Sequence, residues 1–408
     1  MKICFLSYRS NPYCGGQGVY VYHLTRELSN LGHEVHVMSG PPYPRVAEGI
    51  KLHKLESLNL YESLDSFPAN FPRKPTPLNL YEYMAVWAGL FPEPLTFSIR
   101  AYRKLKELQR HNKFDIVHDN QCLGYGLLLM KRLKLPVVAT IHHPIPIDRK
   151  IDLAHARNLR EKFRLMRFYS FCNMQRLVSR QVDRVINVSQ SSAEETRRIF
   201  KVAPSRIRVV YNGIDGDLFT RDDSVAKEPN SLIMTNSGNW RMKGLLYLLR
   251  ALQQLRGEMA VKLTIVGGGM PDGQEIRLVE ECELGDIVTF TGKIDAQELV
   301  RRYSASEIAI VPSLYEGFGL PAAEAMSCKL PVIAARGGAL PEVVGEDGEA
   351  GILVPRADPD ALAAAIKRLL AAELVRRNMG EAGRKRVASN FTWKEAARKT
   401  LEIYEELL

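Results

Sequence analysis

The sequence predicts an α/β protein made of two successive doubly wound domains. Short apolar strands alternate with amphipathic helices almost throughout, and the cycle of strands restarts after a polar stretch from Arg221 to Asn230. The length of 408 residues suits two domains, each burying its own core. A composition of 46% hydrophobic and 25% charged residues excludes a disordered, collagenous or coiled-coil chain.

Ile3–Ser7 reads as the first strand, followed by a glycine loop and a helix over Val19–Leu31 that Gly32 ends. Val35–Met38 completes a β-α-β unit. The rhythm continues through Asp115–His118, Val137–Ile141, Val185–Val188 and Arg206–Tyr211. In the second cycle the strands are Leu232–Asn236, Lys262–Val266, Ile287–Thr291, Glu307–Val311 and Pro331–Ala335. We divide the chain into 1–205 and 206–390, with the linker within 190–215 and a closing helix over about 391–408. Residues 61–100 break the rhythm: Pro68, Pro72, Pro75, Pro77, Pro92 and Pro94 interleave with aromatic residues. They read as an inserted loop with a short helix, either a lid or a surface excursion.

The apolar runs, such as Tyr125 to Met130, fall far short of the ~20 residues a membrane span needs. The amino-terminal apolar stretch is too short for a signal peptide. Cys4, Cys14, Cys122, Cys172, Cys282 and Cys328 form no Cys-x-x-Cys pair and read as reduced, mostly buried thiols. These features predict a cytoplasmic protein.

The net charge of +10 is carried by one half. Residues 1–200 hold 29 Lys+Arg against 17 Asp+Glu, a balance of +12; the rest hold 27 against 29, a balance of −2. The richest stretch runs from Arg149 to Arg184. Within it Leu159, Phe163, Met166 and Phe171 recur at near-helical spacing, as in a basic amphipathic helix. That pattern suits a solvated face or an anionic membrane surface, which would make the protein peripheral on the inner face of the cell membrane. Nucleic acid is not expected, because no nucleic-acid-binding motif is present.

Four constellations could carry chemistry. In Glu316-Gly317-Phe318-Gly319-Leu320-Pro321-Ala322-Ala323-Glu324, a strand delivers one carboxylate into a glycine loop and the following helix carries the second. Two such acids can grip different hydroxyls of one ligand, while the amides of Phe318, Gly319 and Leu320 at the helix start face an anion. Gly15-Gly16-Gln17-Gly18, after the first strand, lets a backbone approach a phosphate, although plain β-α turns share this composition. Ser237-Gly238-Asn239-Trp240-Arg241-Met242-Lys243-Gly244 places two cations at a strand–helix junction, suited to a departing diphosphate. His142, in Thr140-Ile141-His142-His143-Pro144, ends a strand, and His118 ends the one before it.

Together these residues resemble family 4 of the retaining, nucleotide-sugar-dependent glycosyltransferases. The similarity covers nearly all of the second domain: Tyr211-Asn212-Gly213-Ile214-Asp215, the Lys243-Gly244 turn, Val266-Gly267-Gly268-Gly269, the Glu-x7-Glu motif and Gly337-Gly338-Ala339-Leu340-Pro341-Glu342. The resemblance implies the GT-B fold, in which two Rossmann-like domains face a central cleft. It gives residues 1–205 the acceptor side and residues 206–390 the nucleotide sugar, and packs the closing helix back on the first domain. It assigns Glu316 to donor-sugar hydroxyls and Glu324 to the ribose. The amides of Phe318, Gly319 and Leu320 would hold the donor, with Gly15, Gly16, Gly238 and Asn239 beside it and His142 at the reacting carbon. Where the family usually has Arg after the third-site glycine, this chain has Asn239, so Arg241 is the expected substitute beside Lys243. Reaction by front-face substitution is implied, the donor phosphate taking the acceptor's proton. No metal or cofactor is expected, since the family is usually metal-independent and no Asp-x-Asp motif stands out.

The reading is a hexosyltransferase using a UDP- or GDP-sugar and a glycan, lipid-linked or phosphorylated acceptor, such as a lipopolysaccharide core or a glycolipid. A nucleotide-sugar epimerase of the same architecture and a non-catalytic sugar-nucleotide-binding protein are the alternatives.

Overall fold

The order in which strands pair sets where each half of the chain can bind a ligand. The computed structural model describes residues 1–10, 16–60, 76–156, 158–236, 239–269 and 273–408. The chain divides into Met1–Val210 with Ala396–Leu408, and Tyr211–Glu395. The division falls between Val210 and Tyr211, and residues 190–209 are an integral part of the first unit.

The first unit is laid out as β1 (Lys2–Ser7), α1 (Gly16–Asn30), β2 (Glu34–Ser39), β3 (Lys51–Lys54), α2 (Pro77–Trp87), α3 (Glu93–Leu108), β4 (Ile116–Asn120), α4 (Gly126–Lys131), β5 (Val137–Ile141), α5 (Pro146–Ala154), α6 (Leu159–Phe168), α7 (Cys172–Ser179), β6 (Arg184–Asn187), α8 (Gln190–Glu195) and β7 (Ile207–Val209). Its strands are all parallel, in the order β3-β2-β1-β4-β5-β6-β7, with Phe5 opposite Val37 on one side and His118 on the other. Burial on both faces explains the apolar runs: Cys4, Leu6, Val117, Ala139 and Ile141 pack against Phe97, Ala101 and Leu105 of α3.

The second unit follows as β8 (Ser231–Thr235), α9 (Leu245–Leu255), β9 (Lys262–Val266), α10 (Gln274–Glu281), β10 (Val288–Phe290), α11 (Ala296–Ala305), β11 (Ile308–Val311), α12 (Leu320–Ser327), β12 (Val332–Ala335), α13 (Leu340–Val344), β13 (Gly351–Val354), α14 (Pro359–Leu370) and α15 (Glu373–Asn390). Its order is β10-β9-β8-β11-β12-β13, again parallel. Leu245, Leu248, Leu249 and Leu252 of α9 recur at helical spacing and are buried on Leu232, Ile265 and Ile310. Each such leucine contributes about 1.5–3 kcal/mol. In both sheets the strand order reverses beside the first strand, between β1 and β4 and between β8 and β11. In open α/β sheets ligands bind at this switch, beyond the strands' carboxyl ends.

Helix α16 (Trp393–Glu405) starts in the second unit and from Ala396 belongs to the first. Tyr404 hydrogen-bonds His118 Nδ1, and Glu406 pairs with Arg184 at 3.1 Å and Arg208 at 2.7 Å.

Two expectations change. Residues 76–100 hold α2 and the start of α3 rather than a loop with one short helix, because prolines that read as breakers begin helices here. Thr76 caps α2, its hydroxyl accepting from the Asn79 amide at 3.2 Å, and Pro77 and Pro94 occupy first-turn positions. Residues 61–75 lie outside the described residues. The basic stretch 149–184 is not one helix but α5, α6, a 3-10 turn and α7, and Phe171 in that turn is half-buried rather than aligned with Leu159.

Candidate active site

The switch point of the second sheet brings its two most informative motifs together. The loops leaving β8 and β11 emerge side by side because those strands are neighbours. The Leu314 amide donates to the Met242 carbonyl at 2.8 Å, tying one loop to the other. Gly244, at φ +74°, sits so close to Pro312 that a Cβ there would lie 2.1 Å from its carbonyl oxygen. Only glycine permits both the left-handed backbone and this approach.

That junction delivers Lys243 Nζ to Glu316 Oε1 at 2.7 Å, and the Ser313 hydroxyl donates to the same oxygen at 2.7 Å. Lys243 and Glu316 are 16% and 11% exposed, so water screens their attraction weakly. From below, Gly338 at φ +61° presses against the Glu316 carbonyl, which accepts the Ala339 amide at 2.9 Å. The Gly337-Gly338 pair is thus a floor for the Glu316 loop.

Glu324 lies in the second turn of α12, where burial raises its carboxyl to about 7 against the pull of Lys243. Burial, and after it the charge of Glu324, pushes up the Tyr303 phenol, which has no hydrogen-bond partner among the described residues. Lys243 therefore acts on both acids. Gly319 forms the amino-terminal cap of α12, whose first turn holds no acidic residue. The amides of Phe318, Gly319 and Leu320 donate to no described residue. Phe318's ring is buried, 5.4 Å from Phe391 and 6.4 Å from Tyr211, so only its backbone is available to a ligand.

Arg241 stacks on Trp240 at 4.9 Å and donates to Gln274 Oε1 at 3.1 Å, an exposed bond. Asn239 Oδ1 accepts the Arg241 amide at 3.1 Å, a local turn. Gly15 and Gly238 lie outside the described residues; Gly16 is exposed and begins α1.

In the first unit His142 follows β5. Its Nε2 lies 2.7 Å from Asn120 Oδ1, and its amide donates to Gln121 Oε1 at 2.6 Å. Tyr20 of α1 meets the ring edge-on at 4.8 Å. Burial lowers His142 to about 3, keeping the imidazole neutral. His118 is a core histidine rather than a site residue: fully buried, it bonds Thr140 Oγ1 at 2.7 Å and Tyr404.

Sequence reasoning missed Ser313 and Asn120. The Ser-x-x-Glu spacing was available for Ser313, whereas nothing in the sequence joins Asn120 to His142, on the neighbouring strand. It also missed Asn236, a buried amide after β8 whose polar atoms have no hydrogen-bond partner among the described residues, its Nδ2 3.1 Å from a Cβ position on Gly268. The absence of Asp-x-Asp needs correction. The sequence holds Asp215-Gly216-Asp217 and Asp358-Pro359-Asp360. Asp215 and Asp358 accept backbone amides of Leu218 and Ala361, and Asp360 accepts Gln254. Among the described residues no group of three or more His, Cys, Asp or Glu could hold a metal ion.

The model of the family described as Glycosyltransferase Family 4 matches residues 14–218, and that described as Glycosyl transferases group 1 matches residues 219–386. An MMP α-(1→4)-mannosyltransferase of Mycolicibacterium hassiacum is 43% identical, covering 100% of this chain and 98% of the relative. This chain belongs to glycosyltransferase family 4. A D-inositol 3-phosphate glycosyltransferase 2 of Catenulispora acidiphila is 28% identical over 99% of this chain and 94% of its own length. Among solved structures, sucrose-phosphate synthase of Thermosynechococcus elongatus superposes with a TM-score of 0.75 at 26% identity, covering 100% and 98% of the two chains. Anabaena HepE in complex with UDP-glucose gives 0.72 at 16% identity, covering 100% of both. The fold is GT-B, and the family 4 chain is a hexosyltransferase.

Proposed function

We propose that this glycosyltransferase moves a mannosyl group from a nucleoside-diphosphate sugar, UDP- or GDP-linked, to a hydroxyl of a glycan acceptor, forming an α-(1→4) bond with retention. The observation that carries the reading is the position of Lys243, 2.7 Å from Glu316 and close enough to Glu324 to lower its carboxyl. One cation between two acids, beside free amides at a helix start, suits a ligand that is diphosphate in its middle and polyhydroxyl at both ends. Glu316 accepts from sugar hydroxyls and Glu324 from the ribose. Phe318, Gly319 and Leu320 hold phosphate oxygens through their amides, and Lys243 balances the charge that develops as the diphosphate leaves.

The acceptor oxygen attacks the anomeric carbon on the face from which the diphosphate departs. The bond from that carbon to the phosphate oxygen breaks, and the acceptor's proton passes to the leaving oxygen. No protein nucleophile takes part. Neutral His142 fits a hydrogen-bond role towards a donor hydroxyl, not that of a proton donor. The likeness to a mannosyltransferase, at 43% identity, favours a glycan acceptor over the inositol phosphate named for relatives at 28%.

The test combines UDP- and GDP-linked mannose and glucose with manno-oligosaccharides in EDTA, following the anomeric protons by NMR. Mannosyl transfer from one donor, acceptor-dependent and retaining, is expected. Epimerised donor without acceptor would replace this reading with the epimerase, and donor binding without release would leave a binding protein.

A further inference from the structure

Helix α6 buries none of its residues. Leu159, Phe163 and Met166, spaced by four and three positions, share one face and are 83%, 61% and 58% exposed. At about 100° per residue, Lys162 lines one edge of that row and Arg160 and Arg167 line the other, while Arg164 lies further round, toward Glu161. All four cations are exposed, and Arg167 lies over the Phe163 ring at 5.6 Å. The helix's single acid, Glu161, falls on the opposite side.

A second row stands on α2. Leu80, Met84 and Trp87 repeat the same spacing and are 40%, 59% and 72% exposed. The only charged residue of α2, Glu82, is buried on Arg100 at 2.6 Å, so its outward side carries no charge. The segment that leaves α2 packs on the carboxyl end of α6. There the Arg167 guanidinium lies against Gly89, and the Phe91 ring packs on Phe168 at 5.3 Å and Phe171 at 5.1 Å.

We propose that α2 and α6 form a docking face for an anionic lipid bilayer. The apolar rows enter the boundary of the acyl chains, Trp87 sits at headgroup depth, and the flanking cations bond lipid phosphates while their stems stay in apolar surroundings. Charge selects this occupant: a second copy of the same face would bring cation against cation with no carboxylate between, whereas anionic headgroups complement both edges.

The test is sedimentation of the full chain with vesicles of phosphatidylcholine alone or mixed with phosphatidylglycerol. Binding to the mixed vesicles only, weakened by salt, is expected. Phe163→Asp with Met166→Asp lowers the bound fraction at least about tenfold. Lys162→Glu with Arg160→Glu abolishes the preference for anionic lipid. Both variants keep wild-type circular dichroism and donor hydrolysis. Equal binding to both vesicle types, or unchanged binding by the Phe163 and Met166 variant, overturns the proposal. So does a chain that ignores vesicles but dimerises through this face in sedimentation equilibrium.

Discussion

Lys243 Nζ and Glu316 Oε1 lie 2.7 Å apart although 73 residues separate them. Neighbouring strands of one sheet end there, and the Leu314–Met242 bond and the Gly244–Pro312 approach fix the two loops in register. Lys243→Ala removes the charge that balances a departing diphosphate and leaves Glu316 with Ser313 alone. Turnover falls about 10²–10³-fold, the range for removing one such group. Steady-state kinetics with an unchanged circular dichroism spectrum check it. Wild-type turnover by Lys243→Ala would remove Lys243 from the machinery.

Gly244 supports that pair without touching a ligand. Gly244→Ala forces a Cβ onto the Pro312 carbonyl at a backbone angle that alanine rarely takes. The cost is about 1–3 kcal/mol, a Tm fall of roughly 3–10 °C. Activity falls with it because Lys243 is displaced, and combining the variant with Lys243→Ala adds little further loss. Calorimetry and kinetics on the single and double variants measure both effects. Additive losses in activity would separate the glycine from the lysine.

The β-α rhythm and the spacing of both motifs made the parallel sheets, Lys243 and Glu316 legible in the sequence, because each depends on neighbours within about ten residues. What escaped depends on distance or position. β3 and β13 are edge strands, each paired on one side only by a neighbour, and β3 carries lysines at both ends that hide it as a strand. His118 resembled a site residue until its partner appeared at Tyr404, 286 positions away in α16. Prolines 77 and 94 signalled breaks, but a proline in the first helical turn costs no hydrogen bond.

Glu324 makes stability depend on pH. Its folded-state carboxyl is raised to about 7 from the ordinary 4.5, so the folded chain holds this proton more tightly than the unfolded chain. Its contribution is full below about pH 4.5 and is lost as pH rises through 7. Glu324→Gln removes the dependence. The variant's Tm relative to wild type rises between pH 5 and pH 8, by the equivalent of up to about 3 kcal/mol. Thermal melts across that range check it; a parallel pair of curves would mean that Glu324 ionises as readily folded as unfolded.

Asn120 sets the state of His142. The Asn120 amide nitrogen donates to Ser7 Oγ at 3.3 Å and the Gln17 carbonyl at 3.5 Å, which turns Oδ1 toward His142 Nε2. An oxygen there accepts, so the proton sits on Nε2 and Nδ1 keeps its lone pair. Lowered to about 3, the ring stays neutral through the physiological range and loses that state only as pH falls toward 3. The kcat profile therefore has no limb from His142 between pH 5 and 8. Nitrogen-15 shifts report a single Nε2–H tautomer in the wild type. Asn120→Ala mixes the tautomers and raises donor KM more than it lowers kcat, by about tenfold, the worth of one hydrogen bond. A protonated ring at pH 7, or the same tautomer in both proteins, would deny Asn120 this role.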